Sequence, residues 1–229
     1  MRQTQLISGG RRLSATIFEP GEPPASVPGL LFVHGMSSNQ VGYRPRAEAC
    51  SQRLGALCLT FDLSGHGESD GDIRALSARD HLDDLMSAYD ALLAQPAVDG
   101  NRIWVCGSSY GAYLAALLSG RHPVARLALR APALYDDRDL TTKLPERRRT
   151  SVNVDARRLF AALNGSNAEV LVIESGADNV IPRSVIRAYL ENCPRAEHAV
   201  MKRAAHALAP EFEPEFLDLL VHWFDRQSC

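Results

Sequence analysis

The chain has 229 residues, 45% of them hydrophobic, with 25 Lys plus Arg against 27 Asp plus Glu for a net charge of −2. That length suits one large domain over 1–229 with a real core, and the near-neutral charge gives no sign of a nucleic acid or an anionic membrane as partner. The five cysteines (Cys50, Cys58, Cys106, Cys193, Cys229) are odd in number and form no C-x-x-C pair, the polar start Met1–Gln5 lacks an apolar signal core, and no apolar run could cross a bilayer; this reads as a cytoplasmic protein with reduced thiols.

In chain order, Leu13–Phe18 alternates and is predicted to form an antiparallel hairpin with residues 4–8. Glu19 to Pro28 reads as a Pro/Gly-rich loop, Leu30–Val33 as a buried strand, 44–54 as a helix and Ala56–Phe61 as the next strand. Ser77 is a candidate N-cap for a helix running to about Ala94, with Leu82, Leu85, Met86, Tyr89, Leu92 and Leu93 on its apolar face and acids in its first turns. Strands are expected at 102–106, 125–130, 169–173 and 197–201, and a last helix from about Glu213 to Asp225. Strands alternating with helices imply an α/β fold with a parallel sheet covered on both faces, and sites at the carboxyl ends of its strands.

Residues 107–111 read Gly-Ser-Ser-Tyr-Gly, a G-x-S-x-G pattern centred on Ser109, between the apolar run Ile103–Cys106 and the helix-like Ala112–Leu118. A strand, a tight turn and a helix in that order lift a serine hydroxyl above a sheet. Gly107 and Gly111 carry no side chain to crowd the turn. The N–H of Tyr110 then opens a helix, where it can donate to a developing oxyanion. Upstream, Leu30–Val33 runs into His34-Gly35-Met36, a second strand-to-glycine turn whose Met36 N–H is a candidate second donor. Downstream, Val170–Ile173 leads to Asp178, and Ala199–Met201 leads to His206. Ser, Asp and His thus follow in the order of a triad on this kind of fold.

These residues resemble the α/β-hydrolase superfamily of serine esterases and acyl hydrolases. The His34-Gly35 turn, the segment Asp62–Gly71, the Ser109 turn, the Gly-x-Asp-x-x-Ile-Pro stretch around Asp178 and the late His206 are all similar to that family's pattern. The likeness spans roughly 28–225, and its nearest flavour is the small bacterial feruloyl or cinnamoyl esterases and their peptidase-like relatives. It implies a mostly parallel sheet of about eight strands and a short lid after the sixth strand, at about 131–158. It also implies a cleft open to an aromatic acyl group, with Tyr110, Tyr113, Tyr135 and Phe160 as candidate lining.

The expected chemistry is ester cleavage of small or medium acyl groups, with Ser109 as nucleophile, His206 as base and acid, Asp178 as its orienter, Met36 and Tyr110 as oxyanion donors and His34 and Gly35 shaping the oxyanion turn. No metal or cofactor is needed: the histidines are not spaced as a zinc set and there is no phosphate-binding loop. The partner is a small-molecule ester, with monomer and homodimer both open. The same triad could serve a thioesterase, an amidase or peptidase, or an acyltransferase, and a non-catalytic binding protein on a hydrolase scaffold is a remote alternative. Rival residues are Ser108 for the nucleophile, His198 and His222 for the base, and Glu174 or the cluster Asp136, Asp137 and Asp139 for the acid. Asp62 and His66 are expected to hold the turn after their strand, and Ser69 and Asp70 to border the cleft. From Arg121 to Arg158 there are ten Arg plus Lys and five Asp plus Glu, a net of +5. Arg147-Arg148-Arg149 in this stretch is either a solvated surface run or a means of attracting anionic substrates.

Overall fold

The computed structural model describes residues 1–21, 25–147 and 149–226. Strands β1 (Arg2–Ser8) and β2 (Arg11–Phe18) form the expected hairpin, paired from Arg2↔Ile17 to Ser8↔Arg11. Then come β3 (Val27–Val33), β4 (Leu57–Phe61), β5 (Val98–Ser108), β6 (Arg126–Arg130), β7 (Glu169–Ser175) and β8 (Glu197–Met201). They make one eight-stranded sheet in the order β1-β2-β4-β3-β5-β6-β7-β8. β2 is antiparallel to β1 and β4, and every pair from β4 to β8 is parallel.

The helices are α1 (Arg44–Leu54), α2 (Ala78–Leu93), α3 (Tyr110–Ser119), α4 (Arg157–Gly165), α5 (Arg183–Asn192) and α6 (Glu213–Phe224). Along β3, Leu31 and Val33 join one core with Leu82, Leu114, Leu159 and Val185, while Leu30 and Phe32 join another with Cys50, Phe216 and Trp223. So α2 to α5 cover one face and α1 with α6 the other, which is why β3 reads as a continuous apolar run. Ser77 caps α2 as predicted, and the cap is a reciprocal box with Asp80. No helix among the described residues is long and apolar enough to cross a membrane.

Two stretches differ from the expectation. The loop predicted over Glu19–Pro28 ends early, because β3 starts at Val27, whose N–H donates to Ala97 O at 2.8 Å. β5 likewise starts at Val98 rather than Arg102. Gly29 permits this pairing, since a Cβ there would meet Val98 and Ile103 at 3.0 and 3.1 Å. Pro23 and Pro24 of that loop, and Cys229, lie outside the described residues; the other four cysteines are buried and free. The irregular stretch after β6 holds two 3-10 turns, Asp137–Leu140 and Leu144–Glu146, before α4 begins at Arg157. It is strapped to the start of α2 by a Ser77–Lys143 bridge and by Leu144 N–H donating to Leu76 O at 2.8 Å.

Candidate active site

β5 ends at Ser108, α3 begins at Tyr110, and Ser109 between them has φ 55° and ψ −116°. A non-glycine residue at positive φ is strained. The surroundings enforce it. The N–H of Ser109 donates to Arg130 O at 2.8 Å, and its carbonyl accepts from Ala133 N–H at 3.1 Å. Gly107 and Gly111 are required by contact: a Cβ on Gly107 would strike Gly111 O and Ala112, and one on Gly111 would strike the carbonyls of Val33 and His34. Ser109 is half-buried at the apex, whereas Ser108 is 4% exposed and its Oγ is buried without a partner among the described residues. Ser108 is therefore the neighbour within the strand, inaccessible to a substrate.

The turn after β3 lies against this apex. A Cβ built on Gly35 would sit 3.5 Å from Ser109 Cβ. No turn or side-chain bond among the described residues takes the N–H of Met36 or of Tyr110. His34 is 1% exposed; its Nε2 accepts from Leu63 N–H at 3.0 Å and its Nδ1 bonds Gly35 O at 2.8 Å. Burial pushes its pKa down to about 4, so it is a neutral support for the turn. Asp62 accepts Gln40 N–H at 2.6 Å and Glu68 N–H at 3.1 Å, which pins the segments on both sides of the turn. His66 Nε2 accepts from Ser37 N–H at 3.4 Å, a long bond to another residue at positive φ (60°). Ser69 and Asp70 bind β2: Ser69 Oγ accepts Ser14 N–H at 2.9 Å and Asp70 accepts from Arg12 at 3.0 Å.

His206 and Asp178 lie in contact: Nδ1 of His206 is 2.9 Å from Oδ2 of Asp178. The other carboxylate oxygen accepts Val180 N–H at 2.7 Å and Ile181 N–H at 2.9 Å. Burial raises the Asp178 pKa, but these bonds from His206, Ile181 and Val180 outweigh it and hold it below the usual range. An ionised Asp178 fixes the proton on Nδ1, leaving Nε2 as the acceptor nitrogen. Ser109 Oγ and His206 share no hydrogen bond among the described residues. Such bonds are often long without substrate and tighten on binding.

The rivals are occupied elsewhere. Glu174 binds Arg183 at 2.7 Å and His198 at 3.0 Å. His222 is exposed on α6. Asp136 caps the first 3-10 turn and holds Arg138. Tyr110, Tyr113 and Tyr135 are 0, 2 and 7% exposed and pack on one another, so they fill the space beneath the strap, while Phe160 packs on Tyr189. The arginine run divides. Arg147 lies over the Tyr135 and Tyr110 rings, 3.8 and 4.6 Å from their centroids, Arg149 is exposed, and Arg148 lies outside the described residues.

Two residues went unnoticed in the sequence. His81, fully buried on α2, accepts from Tyr110 OH at Nδ1 (3.0 Å) and donates from Nε2 to Ser64 O (2.9 Å). A histidine on the apolar face of a helix was the available signal. Arg130 ends β6 after the apolar Leu127–Leu129, 4% exposed, and its guanidinium reaches the backbone of His206. A charge closing a buried strand at its carboxyl end was the signal there.

The profile of the "Serine aminopeptidase, S33" family matches residues 25–159. Alpha/beta hydrolase domain-containing protein 17C of Mus musculus is 26% identical over 204 residues, covering 89% of this chain and 62% of that protein. The chain thus spans less than two thirds of the length of the curated relatives it matches over most of its own. Mitochondrial palmitoyl-protein thioesterase ABHD10 of Bos taurus is 33% identical over a shorter 88 residues, 38% of this chain and 27% of that protein. Among solved structures, Est1E of Butyrivibrio proteoclasticus with bound ferulic acid aligns with a TM-score of 0.74 at 16% identity, over 97% of this chain and 96% of that one. At that identity the likeness is one of fold.

Proposed function

Because the chain belongs to the serine aminopeptidase S33 family of α/β-hydrolases, we propose that it cleaves carboxylic esters of small or medium acyl groups through an acyl-serine intermediate. The observation that carries this reading is the His206–Asp178 contact at 2.9 Å, in the loops beyond the strand ends that also present Ser109. Serine is a weak nucleophile until a base takes its proton. Here Ser109 Oγ attacks the ester carbonyl while His206 Nε2 removes the hydroxyl proton. Asp178 holds the ring and stabilises the imidazolium. The N–H groups of Met36 and Tyr110 take the oxyanion, and loss of one such donor typically costs about 2.7–4 kcal/mol of barrier. His206 then gives its proton to the leaving alcohol, and water releases the acid by the same route, returning the proton to Ser109.

A thioester substrate is the second reading, favoured by the likeness to the palmitoyl-protein thioesterase. The chemistry at Ser109 is unchanged, and only the leaving group differs. The test is hydrolysis of p-nitrophenyl esters from acetate upward, with acyl thioesters in parallel, by wild type and Ser109→Ala. Activity lost in the variant supports the reading, and the better leaving group decides between its two forms. Full activity in Ser109→Ala removes it.

A further inference from the structure

The three segments proposed to carry the chemistry converge on one side chain that performs no proton transfer. Arg130 is the last residue of β6, flanked by β5 and β7, with Ser108 and Ile173 as its register partners. Its carbonyl accepts the Ser109 N–H at 2.8 Å. Its guanidinium runs toward the other two segments. Nη1 donates to His206 O at 3.0 Å, and Nη2 donates to His206 O at 3.0 Å, to Ala205 O at 2.8 Å and to Ser175 Oγ at 2.9 Å. Ser175 closes β7 and its carbonyl accepts the Asp178 N–H at 3.1 Å, so it anchors the acid's loop.

We infer that Arg130 is a positioning residue, a buried fork that sets His206 against Asp178 and Ser109. This rests on the triad reading above. Three observations support it. The first is that the loop holding His206 has no regular structure, and among the described residues the carbonyls of Ala205 and His206 accept from no donor but Arg130. The second is that Arg130 bonds no carboxylate among the described residues, although it is only 4% exposed. A buried cation without a bonded counter-ion is expensive, and an apolar residue would fill the same place at lower cost. What the cation adds is a planar pair of donors on a single carbonyl, a geometry that lysine's point charge does not reproduce. The third is that the same residue holds Ser109 through its main chain and His206 through its side chain, so a displacement of one loop is referred to the other.

The test compares wild type, Arg130→Met and Arg130→Lys by kcat and KM on a p-nitrophenyl ester, thermal midpoint, and amide exchange of segment 203–208 by mass spectrometry. Arg130→Met is expected to lower kcat by about 10²-fold, the scale of a small misplacement in an active site, with KM unchanged. Exchange should quicken in 203–208 while β5 and β7 keep their protection. Arg130→Lys should recover part of kcat. Unchanged kcat with unchanged exchange overturns the inference. So does a fall in kcat that only tracks the folded fraction, which would make Arg130 structural. If Arg130→Met does not fold, Arg130→Lys with full kcat and wild-type exchange overturns it equally. If wild type cleaves no ester or thioester, the hydrolytic reading fails and the exchange of 203–208 alone decides: quickened and local supports the tether, unchanged removes it.

Discussion

Nδ1 of His206 sits 2.9 Å from Oδ2 of Asp178, and the second oxygen of that carboxylate is already held by the Val180 and Ile181 N–H groups. The acid is therefore oriented before the histidine is, and it dictates which ring nitrogen carries the proton. Asp178→Asn offers an amide that can donate to Nδ1 and turn the tautomer the wrong way. It should keep its fold and lose about 10⁴-fold in kcat. Steady-state kinetics beside circular dichroism checks this. A variant with wild-type kcat would mean that Asp178 does not set the tautomer of the base.

The turn at Ser109 depends on bare glycine surfaces. Gly111→Ala pushes a methyl group into the carbonyls of Val33 and His34, so it separates α3 from the turn after β3. The expected loss is about 1–3 kcal/mol of stability, as for other overpacked positions. Gly165→Ala, where nothing lies within 4 Å, is the control and should stay near wild type. Urea midpoints for the two variants decide it.

Three buried histidines make the fold sensitive to mild acid. Burial is the main cause in each case: it lowers His34 to about 4, His81 to about 3, and His66 in the same direction. Their unfolded value is about 6.5, so between that and the folded values the unfolded chain binds more protons. Their contribution is complete above pH ~6.5 and is lost as pH falls toward 4, on the order of 3 kcal/mol from His34 alone. Unfolding free energy should decline steadily across that window. His81→Gln, which cannot take up the proton, should flatten the slope; an unaltered slope would show that His81 charges freely in the folded state.

The arginine run should split in its effects. Arg147 is stacked on Tyr135 and Tyr110, with Nε and Nη1 buried against them. Arg149 is exposed. Arg147→Ala should cost about 0.5–2 kcal/mol through lost cation–π contact, and Arg149→Ala close to nothing. Thermal denaturation of the two variants separates a packed residue from a solvated one.

How much of this was legible in the sequence follows from the range of the interactions. The hairpin, α1, the Ser77 cap of α2 and the strand–turn–helix at Ser109 are local patterns, and each lies within a residue or two of its prediction. The pairing of Asp178 with His206 was legible in chain order alone, because on this scaffold order implies convergence at the strand ends. The early start of β5 was not, since it depends on Gly29 admitting Val98 across a neighbouring strand. Nor was the role of Arg130, whose partners are backbone carbonyls that carry no residue identity. The packed place of Arg147 was not legible either, because a run of arginines carries no mark of the tyrosines it covers.

The most direct measurement is covalent labelling with a fluorophosphonate probe, located by peptide mass spectrometry in wild type, Ser109→Ala and His206→Ala. One adduct on Ser109, absent from Ser109→Ala and strongly slowed in His206→Ala, is the predicted result. An adduct on Ser108, or labelling that survives in Ser109→Ala, would contradict the assignment of Ser109 as the activated nucleophile.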